Sequence, residues 1–203
     1  DTECKQAAIA AAKLCESLGH KVEEATLPID FPMLNEAFLT ILFVSVARTL
    51  DDAAKIIGRP VTDKDVETVT WANSQAGRAA NVLAYSRAIA TAHQIGLAMA
   101  KFQQGYDVIL RPTLAKPPVP LGVLSLTTDN LQAYAKEVNE FSPYTRLYNM
   151  TGQPSMSVPL HWSKDGLPIG VMFSARFGDD ATLFRLAGQL EKAQPWAKHK
   201  PPM

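Results

Sequence analysis

Two short runs of alternating apolar residues, separated by a tight turn signal, constrain this chain more than anything else in it. In Ser155 to Trp162 the side chains of Met156, Val158 and Leu160 fall on one face of an extended strand, because successive residues point to opposite sides. Lys164-Asp165-Gly166 follows as a turn, and Pro168 to Ala175 gives a second strand. Strands joined so closely pair antiparallel, as a hairpin. Upstream, Pro143 to Met150 reads as a helix and Thr151-Gly152-Gln153-Pro154 as a turn. Downstream, Gly178-Asp179-Asp180 caps a closing amphipathic helix with Leu183, Leu186, Ala187 and Leu190 inward.

The rest of the chain is mostly helical in pattern. From Thr2 to Leu18 the residues Ala8, Ala11, Ala12, Cys15 and Leu18 recur at helical spacing, with Gly19 as the stop. Lys21 to Leu27 reads as a short strand, so that helix and strand make a half-unit of α/β architecture with a largely parallel sheet. Pro32 opens a helix to about Ile57 that is apolar on almost every side between Phe38 and Val46, which predicts deep burial. Gly58 and Pro60 end it. Thr62 and Asp65 have capping-box spacing and predict a helix start before Val66 and Val69, with Gly77 interrupting that run. A further helix spans Asn81 to Gln104, and Val108 to Leu110 is a short strand leading into a loop stiffened by Pro112, Pro117, Pro118 and Pro120. Gly19, Gly58, Gly77 and Gly105 are all expected at or just beyond helix ends.

Composition narrows the functional classes. With 203 residues, 47% hydrophobic and 20% charged, the chain has the makeup of an ordinary folded domain. Lys plus Arg total 20 and Asp plus Glu total 20, so nothing in the balance calls for nucleic acid or an anionic membrane. The apolar stretch Ala37 to Ala47 is too short to span a bilayer, and the polar start Asp1 to Gln6 carries no signal-peptide pattern. Cys4 and Cys15 lie about three helical turns, roughly 16 Å, apart, too far for a disulfide; both are read as free thiols of a cytoplasmic protein. His20, His93, His161 and His199 lack metal-ligand spacing, and no phosphate-binding glycine loop occurs, so no metal or cofactor is implied.

Three strings carry more specific information. They are Tyr106-Asp107-Val108-Ile109-Leu110-Arg111-Pro112-Thr113, then Asn149-Met150-Thr151-Gly152-Gln153-Pro154-Ser155-Met156-Ser157-Val158-Pro159, then Gly166-Leu167-Pro168-Ile169-Gly170-Val171 with the closing Ala181-Thr182-Leu183 helix. In this order and spacing they resemble the distal half of amidase-signature enzymes, and the likeness runs over essentially the whole chain. The resemblance implies an α/β class: part of a single α/β/α domain, a mixed sheet with covering helices. Residues 1–203 would be the C-terminal portion of that domain, with the catalytic N-terminal portion absent, as the start at Asp1 without methionine also suggests.

The resemblance also implies a chemistry. Such enzymes cleave amides through a Ser, cis-Ser, Lys triad, in which the lysine makes a hydroxyl nucleophilic that is feeble by itself. This chain has no Gly-Gly and no Ser-Ser pair, so no triad residue carries over. What carries over is cleft wall: Pro112 and Thr113 at a strand end, and Asn149, Thr151, Gly152 and Gln153 before the hairpin. The plainer alternative is that Gly152 and Pro154 only shape a turn and Asn149 caps a helix. Arg111 stands where a small polar residue is expected.

Rival constellations are weaker. Ser155 and Ser157 share a strand face with His161 and Asp165 nearby, but the serines sit on no sharp strand-to-helix turn, and a strand holds Ser157 and His161 more than about 10 Å apart. Lys101, Lys116 and Lys164 are read as solvated charges, since a lysine base needs burial or a neighbouring cation. Two functions then remain: a fragment of a hydrolase that takes a small-molecule amide as substrate, or a stand-alone, non-enzymatic binding or scaffold domain with an amidase-like half-fold. Exposed sheet edge and cleft-side surface would give such a fragment a reason to self-associate.

Overall fold

Asp1 starts the first helix by accepting a 2.7 Å hydrogen bond from the Glu3 N–H, and α1 runs from Thr2 to Ser17. Cys4, Ala7, Ala11 and Cys15 form its buried stripe, and Gly19, at φ +91, lies just past its end. The expected strand over Lys21 to Leu27 does not form. Only Val22 and Leu27 of that segment are even half-buried, so the period-two pattern a sheet requires is missing, and Glu23 instead accepts from the Tyr106 hydroxyl at 2.8 Å. The parallel half-unit falls with it.

The computed structural model describes residues 1–201. After α1 the order is α2 (Phe31–Ile57), α3 (Thr68–Ala79), α4 (Val82–Phe102), β1 (Val108–Pro112), α5 (Leu131–Phe141), α6 (Arg146–Thr151), β2 (Ser155–Trp162), β3 (Pro168–Ala175) and α7 (Asp180–Ala193). The chain divides into two compact units. One comprises residues 1–28, 96–119 and 139 onward; the other comprises residues 29–95 and 120–138.

The first unit is built on a three-stranded sheet in the order β1-β3-β2, antiparallel throughout. The expected hairpin is present, with Ser155 opposite Ser174 and Val158 opposite Val171. A register shift between Val158 and His161 makes a bulge that contains Pro159, which has no N–H to give to the ladder. One sheet face carries Met156, Val158, Leu160, Ile169, Val171, Phe173 and Ala175, and it is covered by the apolar sides of α1 and α7. Leu183, Leu186 and Leu190 of α7 are buried as expected, and Asp179 caps the helix through the Thr182 N–H at 3.3 Å. Cys4 and Cys15 belong to this core as free thiols, and burial raises the pKa of both.

In the second unit α3 packs along α2. Asp30 caps α2 through the Met33 N–H at 2.9 Å, and Gly58, at φ +73, ends it. The deep burial expected between Phe38 and Val46 is not found: those residues are half-buried, and Leu42 is exposed. The fully buried positions of α2 are Leu34, Ala37, Ala47 and Leu50, the stripe of a helix covered along one side. By length and composition alone α2 could cross a membrane, a wider apolar span than Ala37 to Ala47 indicated.

Two local expectations fail for physical reasons. Thr62 and Asp65 do form reciprocal bonds, the Asp65 carboxylate accepting from the Thr62 N–H at 2.9 Å and from its hydroxyl at 2.8 Å. The carboxylate is also gripped by both Arg59 amines, at 2.7 and 2.8 Å, so the motif closes a turn and the helix starts only at Thr68. Gly77 lies inside α3 rather than beyond it: a Cβ there would stand 2.0 Å from the Phe43 carbonyl oxygen, so the residue permits the α2–α3 approach. Gly19, Gly58 and Gly105 do lie past helix ends. Helix α5 forms where the sequence pattern predicts no element, and α6 begins at Arg146 rather than at Pro143.

Gly77→Ala is expected to destabilise the protein by about 1–3 kcal/mol through overpacking. Gly96→Ala, with open space around the new methyl, should stabilise α4 by about 0.5–1 kcal/mol. Urea unfolding separates the two, and equal midpoints would contradict the close approach. Asp65 gives a pH test, since its Arg59 and Thr62 bonds hold its carboxyl well below the usual carboxylate range. A depressed folded pKa means stability that is present above the unfolded value of about 3.9 and is lost as pH falls toward the folded one. The stability gap between wild type and Asp65→Asn should therefore narrow between about pH 5 and pH 2; a gap independent of pH would count against the clasp.

Candidate functional site

The sheet face opposite the α1–α7 core is polar. On β2 it presents Ser155 and Ser157, both exposed, and on β3 Gly170, Met172 and Ser174. The Ser155 and Ser174 hydroxyls lie 2.7 Å apart. The Ser157 hydroxyl lies 2.6 Å from that of Thr113, whose N–H donates to the Gly170 carbonyl at 3.1 Å. Gly170 makes room for this pair: a Cβ there would stand 2.5 Å from Ser157 Oγ and 3.0 Å from Thr113 Oγ1. Two residues of strand separate the hydroxyl pairs, roughly 7 Å along the sheet.

A buried carboxamide cluster continues this polar row. Gln153 Nε2 donates to the Ala175 carbonyl at 3.2 Å and to Gln103 Oε1, while Gln153 Oε1 accepts from the Thr151 hydroxyl at 3.0 Å. Gln103 Nε2 donates to the Ser174 carbonyl at 3.3 Å. Both glutamines are buried, as polar groups can be once their bonds are met. Gly152 ends α6 at φ +69, its N–H donating to the Tyr148 carbonyl at 2.9 Å, and the exposed Phe177 ring lies where a Cβ on Gly152 would come within 3.1 Å of it.

The expected cleft residues therefore fall into two groups joined by β2 and β3. Pro112, opposite Val171, and Thr113 sit at one end of the polar row; Thr151, Gly152 and Gln153 sit at the other. Asn149 is exposed on α6 and is not drawn into the row. Gly152 also shapes the turn, as the plainer alternative had it, and Gln153 turns inward. Sequence reasoning missed Gln103 and Ser174, because a polar residue within a strand or at a helix end announces no partner. The Thr113–Ser157 pair had a signal in the two-residue spacing of the serines.

Three cations, Arg111, Arg146 and Lys116, belong to the same unit. The Arg111 guanidinium stacks over the Tyr144 ring, 4.7 Å from its centroid. Arg146 is buried in α6, where it donates to Asn139 Oδ1, and burial lowers its pKa. Lys116 is bound to Glu140 at 2.7 Å. Among the described residues the Ser157 hydroxyl is paired with Thr113 and makes no bond to His161, and none joins His161 to Asp165, so the Ser-His-Asp arrangement is not formed on β2. Chemically, the row offers the exposed hydroxyls of Ser155 and Ser157, groups suited to orienting an uncharged polar ligand, with the buried carboxamides bracing the turn beside them.

A family model described as Amidase matches residues 1–184. The chain belongs to the amidase family. It is 31% identical over 209 residues to a 6-aminohexanoate-cyclic-dimer hydrolase of Pseudomonas sp. (strain NK87), covering 99% of the chain and 42% of that protein. It is 32% identical over 197 residues to the putative amidase AmiC of Mycobacterium leprae (strain TN), covering 97% of the chain and 41% of the relative. It thus spans less than half the length of these curated relatives. Among solved structures, a 6-aminohexanoate cyclic dimer hydrolase superposes with a TM-score of 0.86 at 28% identity, over 99% of this chain and 43% of the other. A bacterial aryl acylamidase of the amidase-signature family, at 21% identity and a TM-score of 0.79, shares the fold. The α/β class and the amidase-signature likeness drawn from the three strings are both upheld.

Gly170→Ala should displace the Thr113–Ser157 hydroxyl pair and cost about 1–3 kcal/mol. In a Ser157→Ala background the nearest obstacle is gone, and the cost should fall by more than about 0.5 kcal/mol. A double-mutant cycle on chemical denaturation measures this coupling; strictly additive effects would show that the pair is not seated over Gly170.

Proposed function

We propose that this chain supplies sheet and one wall of the substrate cleft in an enzyme that hydrolyses the C–N bond of a small-molecule carboxamide, with the nucleophile and its base carried on residues outside this sequence. The observation that supports the reading is the polar row itself, in a chain whose family match covers residues 1–184. Attack on an amide requires a hydroxyl within about 2.6–3.2 Å of a base. On this face the close partner of Thr113 is Ser157 and that of Ser155 is Ser174, each pair hydroxyl to hydroxyl. Such groups bind and orient; they do not deprotonate one another at neutral pH.

In this reading the amide-bearing end of the substrate lies along the row from Thr113 to the Thr151-Gly152-Gln153 turn, with the C-terminal placement in the parent enzyme that the three sequence strings suggest. Pro112 fixes the strand end that delivers Thr113, and Gly152 offers exposed backbone beside Phe177. The likeness to a 6-aminohexanoate-cyclic-dimer hydrolase makes aliphatic amides the first substrates to try.

The purified chain by itself should give no amide turnover above the uncatalysed rate, because orientation without a nucleophile and oxyanion donors leaves the transition state unstabilised; such donors alone contribute about 2.7–4 kcal/mol each. Aryl and alkyl amides should be assayed with the chain, with its Ser155→Ala/Ser157→Ala double variant, and with a longer polypeptide that adds a lysine and a Gly/Ser-rich segment. Activity confined to the longer polypeptide, and surviving the double serine change, is the expected result. Turnover by the chain that disappears in the double variant would overturn the reading.

A further inference from the structure

Resting on the cleft-wall reading above, we propose that Gln103 is a positioning residue: from the end of α4 it holds the Thr151-Gly152-Gln153 turn in its substrate-receiving shape through the side chain of Gln153. Gln103 is only 1% exposed and so cannot itself touch a ligand in the cleft. Its side chain acts as a two-sided clamp, with Nε2 donating to the Ser174 carbonyl at 3.3 Å and Oε1 accepting from Gln153 Nε2. Its backbone carbonyl accepts from Arg176 Nε at 2.9 Å, which ties the same residue to the chain leaving β3.

Gln153 passes the constraint on. Its carboxamide spans from Gln103 and the Ala175 carbonyl on one side to the Thr151 hydroxyl on the other, so the groups that could reach a substrate are those it braces, the Thr151 and Gly152 backbone. The Ala175 N–H returns to the Pro154 carbonyl at 3.1 Å and closes the loop of bonds around the turn. Every side-chain link of the two glutamines is to a neutral group, and a carboxamide alone combines donor and acceptor at this length without bringing a charge into the interior. The chain of contacts is continuous from α4 to the turn, and Gly152 at φ +69 sits at its end, a residue whose backbone is free to move unless its neighbours hold it.

The test uses the full-length enzyme that carries this chain, with Gln103→Met, Gln103→Glu, Gln153→Met and the double Met variant. Gln103→Met keeps the volume and removes both bonds; it should raise KM for a small amide about tenfold or more while kcat stays within about twofold, the pattern of lost ground-state positioning. Gln103→Glu keeps the acceptor for Gln153 and should recover part of the KM. The double variant should be no worse than either single one, since both cut the same chain of bonds. A second readout needs no activity: hydrogen exchange at the Gly152 and Ala175 amides should quicken in Gln103→Met relative to amides of α7.

If Gln103→Met lowers thermal stability but leaves KM and the exchange of the turn unchanged, the positioning role is refuted and the glutamine is mere filling. If the wild-type enzyme hydrolyses no amide, the functional reading fails separately, and the exchange at Gly152 then decides by itself whether Gln103 sets the turn. Should Gln103→Met not fold, Gln153→Met cuts the same bond from its other side and carries the comparison.

Discussion

Strand β3 is hydrogen-bonded along both edges and shielded from water on both faces, and the first unit is arranged around that fact. A central strand cannot shift register without breaking two ladders at once, and a one-residue slip would replace Phe173 on the core side by Ser174 in one direction or Met172 in the other. With Val171, Phe173 and Ala175 committed to the α1–α7 side, Gly170, Met172 and Ser174 must face the other way. The polar row is therefore a consequence of core packing: its hydroxyls stand where they do because their sequence neighbours are buried. The bulge at Pro159 ends the strict alternation after Ser157 and confines the row to the half of β2 nearest the turn.

The second unit illustrates how one atom decides an interface. Helices α2 and α3 approach through Gly77 against the Phe43 carbonyl, a contact that leaves no room for any side chain. The Arg78–Asp51 pair at 2.7 Å flanks that contact at the surface, where a solvent-exposed ion pair adds little energy but narrows the range of orientations. Because this seam lies along a single side of α2, the rest of its apolar circumference is only half covered, and its sequence reads as more buried than it is.

What could be read from the sequence was whatever local rules dictate by themselves. The hairpin was legible because alternation and a turn residue specify it jointly, and α7 because its cap and its leucine stripe agree. The free thiols followed from helical spacing. Lys21 to Leu27 misled because β-propensity without a buried face does not create a strand. Thr62 and Asp65 misled because Arg59, six residues from its partner, turned a capping pattern into a closed turn. Helix α5 escaped notice although Asn130 caps it through the Ala133 N–H at 3.0 Å, since it has no fully buried residue to give it a core-like stripe. At the candidate site, Thr113, Gly152 and Gln153 could be named as cleft-wall residues from their strings, a role that remains part of the proposal. That Gln153 points inward, and to Gln103 fifty positions earlier in the chain, depends on tertiary approach and leaves no trace in local pattern.

The two thiols beneath the sheet make the fold its own reporter. Cys4 and Cys15 are buried on one stripe of α1, and burial raises their pKa, so in the closed protein they are both shielded and uncharged. A thiol-specific reagent can reach them only when α1 lifts from β1, β2 and β3. The rate of modification then counts opening events of that single layer, resolved from the rest of the molecule and read without any engineered label.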